Sequence, residues 1–251
     1  MFRSRSVSRL ALSAVAAAIL HAAPAAAQDK SVAAAPGADG FVALFNGKDL
    51  TGWKIHPKPN GAFTEIITKK DGETVTGFDG KLKDGSVVPL WQVKDGMIVG
   101  SGPSSHLFSE RNDYTDVVFR VEAMINDKGN SGMYFRAKFE GGFPPGYEVQ
   151  INATGGDAIK TGSLYPDGRT KLKDHKKEIC VMDTAAHKPG EFFTQEVTAV
   201  GNKITIKVNG VQTVEFTDPD STYLKGHFAL QGHDPGTVVT FKKVEYKSLA
   251  K

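Results

Sequence analysis

Residues 130–151 read NSGMYFRAKFEGGFPPGYEVQI, two short apolar-rich runs either side of a Gly/Pro-rich connection. That is the pattern of two strands joined by a loop. Strand side chains alternate between faces, so Met133 and Phe135 share one face and Tyr134 and Arg136 the other. On the return strand Tyr147, Val149 and Ile151 point one way, leaving Glu148 and Gln150 together on the other. A charged Arg and Glu on inner strands are costly unless they are paired or used in chemistry. The hairpin is therefore expected to form the floor of an active site.

Outward from the hairpin the same period recurs. Residues 90–100, LWQVKDGMIVG, predict a hairpin turning at Asp95-Gly96. Residues 116–125, DVVFRVEAMI, place Val117, Phe119, Val121, Ala123 and Ile125 on one face. The last third carries EFFTQEVTAV, NKITIKVNGVQTVEF with an Asn209-Gly210 turn, HFALQGH and TVVTFKKVEYKSL. Many short β-runs with tight turns and almost no helical periodicity indicate an all-β fold, an antiparallel two-sheet sandwich or jelly roll. Structure is expected to begin at FVALFNGKDLTGW, residues 41–53. The polar stretch 57–89, with Asp71-Gly72, Asp79-Gly80 and Asp84-Gly85, reads as loops with one short hairpin, and 152–190 as loop-rich with a solvated basic run at 171–177. One jelly-roll domain is expected over residues 41–251.

The chain opens with Arg3, Arg5 and Arg9, then an apolar run at 10–20 and Ala25-Ala26-Ala27 before Gln28. This is the form of a cleaved export signal, residues 1–27, followed by a flexible lead-in at 28–40. The apolar run is too short to span a bilayer. The expected destination is the periplasm or the exterior. Cleavage after Ala27 removes three Arg and no acidic residue, taking the formal charge from +3 to zero. A neutral chain without a basic block gives no reason to expect nucleic acid or an anionic membrane as partner. Cys180 is the single cysteine, so no intramolecular disulfide can form, and it is expected to be an inert, half-buried thiol.

Alternation in HFALQGH sends Phe228 and Leu230 into the core and leaves Gln231 and His233 on the opposite face. If that face is shared with Arg136, Glu148 and Gln150, one cleft holds a cation, a carboxylate, an imidazole and two amides, a set that can bind sugar hydroxyls and move protons. Each residue also has a plainer reading. Arg136 and Glu148 could form a cross-strand ion pair, His233 could be a loop histidine, Gln150 and Gln231 could face solvent, and Tyr134, Tyr147 and Tyr165 could be core. No His/Cys/Asp cluster has zinc spacing, and no G-x-S-x-G, P-loop or dinucleotide fingerprint occurs. An ordinary glycosidase needs two facing carboxyls. Glu148 has only Glu122 as an obvious partner, on a neighbouring strand at best.

Six motifs in order, LFNGKDLTGW, W-x-V-x-D-G-M-I-V-G, the GNSGMYFRA to GYEVQI pair, TGSLY, GxxxxxxVNG and LQGH followed by an F-x-x-V strand, resemble the 3-keto-disaccharide hydrolase domain family over residues 41–249. The resemblance implies a concanavalin A-like, glucanase-like jelly roll with its site on the concave sheet. It further implies cleavage of glycosides already oxidised to a ketone at C3: a base removes the acidified C2 proton, the C1 substituent leaves by β-elimination, and water then adds. Asn130, Ser131, Arg136, Glu148, Gln150 and His233 match the family's motif positions. His233 and Glu148 are the implied acid and base, in either order, with Arg136 orienting Glu148 or stabilising the enolate. Tyr134, Tyr165 and Gln231 join Asn130, Ser131 and Gln150 as candidate substrate contacts. The expected partner is a small carbohydrate or glycoside. No cofactor is expected, while a divalent cation beside the carboxylate stays open. The chain departs from the family at Glu191-Phe192-Phe193, where a Trp is usual, at Asn152, where an Asp is common, and in its long loops at 57–88 and 166–190. A carbohydrate-binding module without catalysis and a hydrolase of unoxidised glycans remain as alternatives.

Overall fold

The computed structural model describes Met1 and residues 36–57 and 62–250. The expected export signal apart from Met1, and residues 28–35 of the lead-in, lie outside the described residues. Fifteen strands follow in order: β1 (Val42–Ala43), β2 (Trp53–Ile55), β3 (Phe63–Asp71), β4 (Thr74–Leu82), β5 (Val87–Lys94), β6 (Met97–Gly100), β7 (Ser105–Ser109), β8 (Val117–Ile125), β9 (Ser131–Ala137), β10 (Tyr147–Ile151), β11 (Phe193–Val200), β12 (Lys203–Val208), β13 (Val211–Thr217), β14 (His227–Gly232) and β15 (Val239–Ser248). Among the described residues they form two antiparallel sheets, a jelly-roll sandwich. The larger sheet runs β13-β12-β11-β8-β15-β6-β5-β4-β3 with β1 on β15, and the smaller runs β10-β9-β14-β7-β2.

The core lies between the sheets and follows alternation. Val117, Phe119, Val121, Ala123 and Ile125 of β8 are buried from the large sheet. They meet Met133, Phe135, Tyr147, Val149, Ile151, Phe228 and Leu230 from the small one. Phe119 and Phe228 stack across the layers with centroids 4.1 Å apart. The expected turns are present: Asp95-Gly96 and Asn209-Gly210 have φ of 50° and 72°, and of 50° and 80°. Positive φ at both central residues is the geometry that closes a two-residue hairpin.

The stretch 57–89 corrects the reading of loops with a short hairpin. Its described part forms β3 and β4, nine residues each, paired from Phe63↔Leu82 to Asp71↔Thr74. Their polar composition misled because β3 is an edge strand, mostly exposed on both faces. The turn between them is Gly72-Glu73, with Asp71 ending β3. Asp79-Gly80 is not a turn: it lies inside β4, where Asp79 is buried and bonded to Lys69 at 2.7 Å, and Gly80 faces Leu90 and Phe63. The basic run at 171–177 also gains structure, a 3-10 turn (Lys171–His175) and a single helical turn (Lys176–Ile179), anchored by buried Leu172 and Ile179. No helix among the described residues is long and apolar enough to cross a membrane.

Candidate functional site

The small sheet is covered on both faces. Its outer face carries Tyr134, Ala137, Ala229 and Phe108, a cluster separate from the main core. Register then builds a row across four strands. Gln150 of β10 lies opposite Gly132 of β9, Gly132 opposite Gln231 of β14, and Gln231 opposite His106 of β7. Glu148 sits two pairs further along, opposite Tyr134 and on the same face. The free edge of β10 is closed by the TGSLY segment, which donates Tyr165 N–H to the Glu148 carbonyl at 2.8 Å and accepts from Gln150 N–H at the Ser163 carbonyl, 3.0 Å. That pairing carries Tyr165 to the same place.

Over this face lies a cavity of about 410 Å³, within the size range of small-molecule sites. Asn130, Tyr134, Glu148, Gln150, Tyr165, Gln231 and His233 all line it. Glu148 keeps part of its surface open to the cavity but is otherwise enclosed by protein. Burial is the main reason its pKa rises to about 7, and hydrogen bonds from Tyr134 and Gln231 hold the rise in check. The Tyr134 hydroxyl donates to Glu148 Oε2 at 2.6 Å and accepts from Gln231 Nε2 at 3.0 Å. Glu148 Oε1 lies over Gly132, where a Cβ would meet it at 2.4 Å. The buried oxygens Asn130 Oδ1, Gln150 Oε1 and Gln231 Oε1 of three cavity-lining amides have no partner. Buried polar groups are normally satisfied, so this concentration marks a place for a ligand rich in hydrogen-bond donors. His233 stands at the rim, its ring 5.4 Å from that of Phe143 and its Nδ1 3.3 Å from Asp234 Oδ2.

Two expected members are elsewhere. Arg136 does not share the cavity with Glu148. A bulge in β9 opposite β14, where the register passes from His227↔Ala137 to Ala229↔Tyr134, interrupts the alternation. Arg136 takes up the shift with φ 53°, and Gly226 makes room beside it, since a Cβ there would meet the Arg136 carbonyl carbon at 2.4 Å. The guanidinium is fully buried and donates to the carbonyls of Thr115 (3.0 and 2.9 Å), Gly201 (2.6 Å) and Tyr223 (3.1 Å), with Asp116 Oδ1 at 3.4 Å. Neither the Glu148 ion pair nor the enolate role survives this placement. Ser131 is buried too, and its Oγ donates to the Gln231 carbonyl at 2.6 Å, tying β9 to β14.

Residues 40–247 match the family described as a 3-keto-alpha-glucoside-1,2-lyase-like domain. The chain belongs to that family. Two solved structures of presumed glycosyl hydrolases from Parabacteroides distasonis share the fold. One is 24% identical, with a TM-score of 0.57 over 85% of this chain and 95% of that one. The other is 17% identical, with a TM-score of 0.53 over 78% of this chain and 99% of that one. No curated protein matches the sequence.

The cavity of this family member also contains groups that strand periodicity could not supply, because they lie on loops. Asp167 and Arg169 line the cavity. Arg169 Nε and Nη2 grip the Asp167 carboxylate at 2.9 Å, and its Nη1 donates to the Phe143 carbonyl at 2.8 Å. Asp167 is held below its usual pKa by these bonds despite burial, and Arg169 above its own. Asp167 corrects the expectation that Glu122 is the only carboxylate on offer to Glu148: Glu122 lies on the large sheet, bonded to Lys242 at 3.0 Å, and the charged loop at 166–170 gave no periodic signal to place Asp167. Arg169, rather than Arg136, is the guanidinium at this cavity. His106 does not line the cavity but packs edge-on against the Tyr134 ring, centroids 5.2 Å apart, and burial drives its pKa down to about 3, so it stays neutral. Among the described residues no group of three or more His, Cys, Asp or Glu side chains could hold a metal ion. Cys180 is half-buried with its thiol pKa pushed up to about 11, chiefly by burial.

Proposed function

We propose that the protein cleaves glycosides carrying a ketone at C3, with Glu148 as the base. One observation carries the reading: an enclosed carboxyl group, Glu148, with its pKa near neutrality, faces a cavity among amide side chains whose oxygens have no hydrogen-bond partner. A base is most effective with its pKa near the working pH. The amides suit sugar hydroxyls. Glu148 takes the C2 proton, the C2–H pair becomes an enolate on the C3 oxygen, and the enolate collapses to expel the C1 oxygen. His233 at the rim gives that oxygen its proton. Water then adds across the C1–C2 double bond. Amide donors of the cavity wall stabilise the enolate. We also propose that the protein acts in the periplasm or outside the cell, on the strength of its N-terminal sequence.

Asp167 favours a second reading, hydrolysis of unoxidised glycosides, with Glu148 as acid and Asp167 as its partner. Against it stands the Arg169 grip, which occupies both Asp167 oxygens. Matched glycosides, plain and 3-oxidised, separate the two. Aglycone release from the oxidised member alone supports the first reading, and release from the plain member overturns it. Replacement of Asp167 by Asn is expected to abolish turnover under the second reading only.

A further inference from the structure

Glu148 is constrained at both oxygens. Oε2 is occupied by the Tyr134 hydroxyl at 2.6 Å, itself steadied by Gln231 at 3.0 Å. Oε1 lies in the gap left by Gly132. Tyr134 is almost fully buried, and its ring is fixed edge-on by His106 at 5.2 Å. Burial first, and then the nearby Glu148 charge, keep the phenol pKa well above its usual value, so it remains a donor.

We propose that Tyr134 is a positioning residue that fixes Glu148 through Oε2 and so makes Oε1, above Gly132, the oxygen that takes the substrate proton. This rests on Glu148 being the base. The bond does two things. It removes the carboxylate's freedom to rotate, which favours one reactive geometry. It also stabilises the charged form against the burial and the Asp167 and Asp157 charges that oppose it. The other charged or titratable groups around the pair are Arg169, which offsets Asp167, Tyr165, which donates to Asp157 at 3.0 Å, and His106 and His233 on the β7 and β14 side.

The test follows the Glu148 carboxyl carbon by NMR, with Glu148→Gln giving the assignment. In Tyr134→Phe the midpoint is expected to rise by about one pH unit, the scale of a lost hydrogen bond to a charged acceptor. Substituting 3-fluorotyrosine at position 134, a stronger donor of nearly the same shape, is expected to lower it, which keeps the test informative should Tyr134→Phe not fold. Tyr165→Phe removes a cavity hydroxyl that bonds Asp157 instead, and is expected to leave the Glu148 midpoint within about 0.3 pH unit, well under the shift from a lost direct bond. The acidic limb of kcat/KM should move with the midpoint in each variant. A Tyr134→Phe midpoint unchanged within the same margin, or a Tyr165→Phe shift as large as that of Tyr134→Phe, overturns the proposal. The titration needs no substrate, so it stands or falls separately from the 3-keto reading, which fails on turnover alone.

Discussion

Arg136→Met asks whether the buried guanidinium serves the fold or the chemistry. Arg136 is 1% exposed and bonds three backbone carbonyls from three separate segments, at residues 115, 201 and 223. Methionine fills much of the volume but donates nothing. An acceptor left unsatisfied in a buried place costs about 1–3 kcal/mol. These carbonyls belong to residues that are partly or wholly exposed, so water can recover some of that, and the sum falls near 3–5 kcal/mol. That is the usual cost of breaking a buried charged network. At roughly 2–4 °C per kcal/mol for a chain of this size, the melting temperature should drop by about 6–20 °C. Urea unfolding and a thermal melt measure the loss, and turnover of a 3-oxidised glycoside, taken well below the melt, should stay within about threefold of the unmodified protein, far from the 10²–10⁴-fold loss expected for an acid or base. A variant that melts normally but turns over at least ~100-fold more slowly would refute the assignment and return Arg136 to the chemistry.

Three further outcomes are expected. Glu148→Gln should cut turnover by about 10²–10⁴-fold with the fold intact, while the unmodified enzyme gains activity as pH rises through about 7, where the base ionises. The same residue sets a stability trend: its folded pKa lies above the unfolded value, so its contribution is full at low pH and is lost as pH climbs from about 4.5 to about 7. Denaturation curves of unmodified protein and Glu148→Gln should diverge over that window, by at most roughly 3 kcal/mol. Gly132→Ala should displace Oε1, because the added Cβ meets it at 2.4 Å; turnover should fall while the melt moves little, and unchanged turnover would mean that Oε1 is not where the chemistry happens. Cys180, with its pKa near 11, should resist iodoacetamide at neutral pH, only about one thiol in ten thousand being ionised there.

Strand alternation and turn chemistry made the sandwich legible. Val117 to Ile125 sort as their period requires, and both Asx-Gly hairpin turns stand where they were read. Tyr134, Glu148, Gln150 and Gln231 reach one face because each lies in an unbroken run of alternation. Arg136 lies beyond a register shift, and no local feature of Tyr134-Phe135-Arg136 announces one: the bulge shows only against β14, a strand some 90 residues later. Asp167 and Arg169 sit on a loop, which has no period to read. β3 and β4 were hidden for a different reason: β3 is an edge strand that needs no apolar face to hold its pairing, and the buried centre of β4, Gly77-Phe78-Asp79-Gly80, has a single large apolar side chain to read. His106 gave no signal because its strand, β7, is short and buried at every position, so it shows no alternation to sort a histidine by.

Arg169 joins two stretches that approach the cavity from different parts of the chain, Phe143 and Pro144 on one side and Asp167 on the other. A mouth formed by two independent loops would have to be ordered when a ligand arrives, and that entropy would be subtracted from affinity. Here one side chain couples both margins before any ligand is present, so the cost falls on folding. The entrance then behaves as a single frame: loosening either margin releases the other, and an encounter with either is felt across the opening.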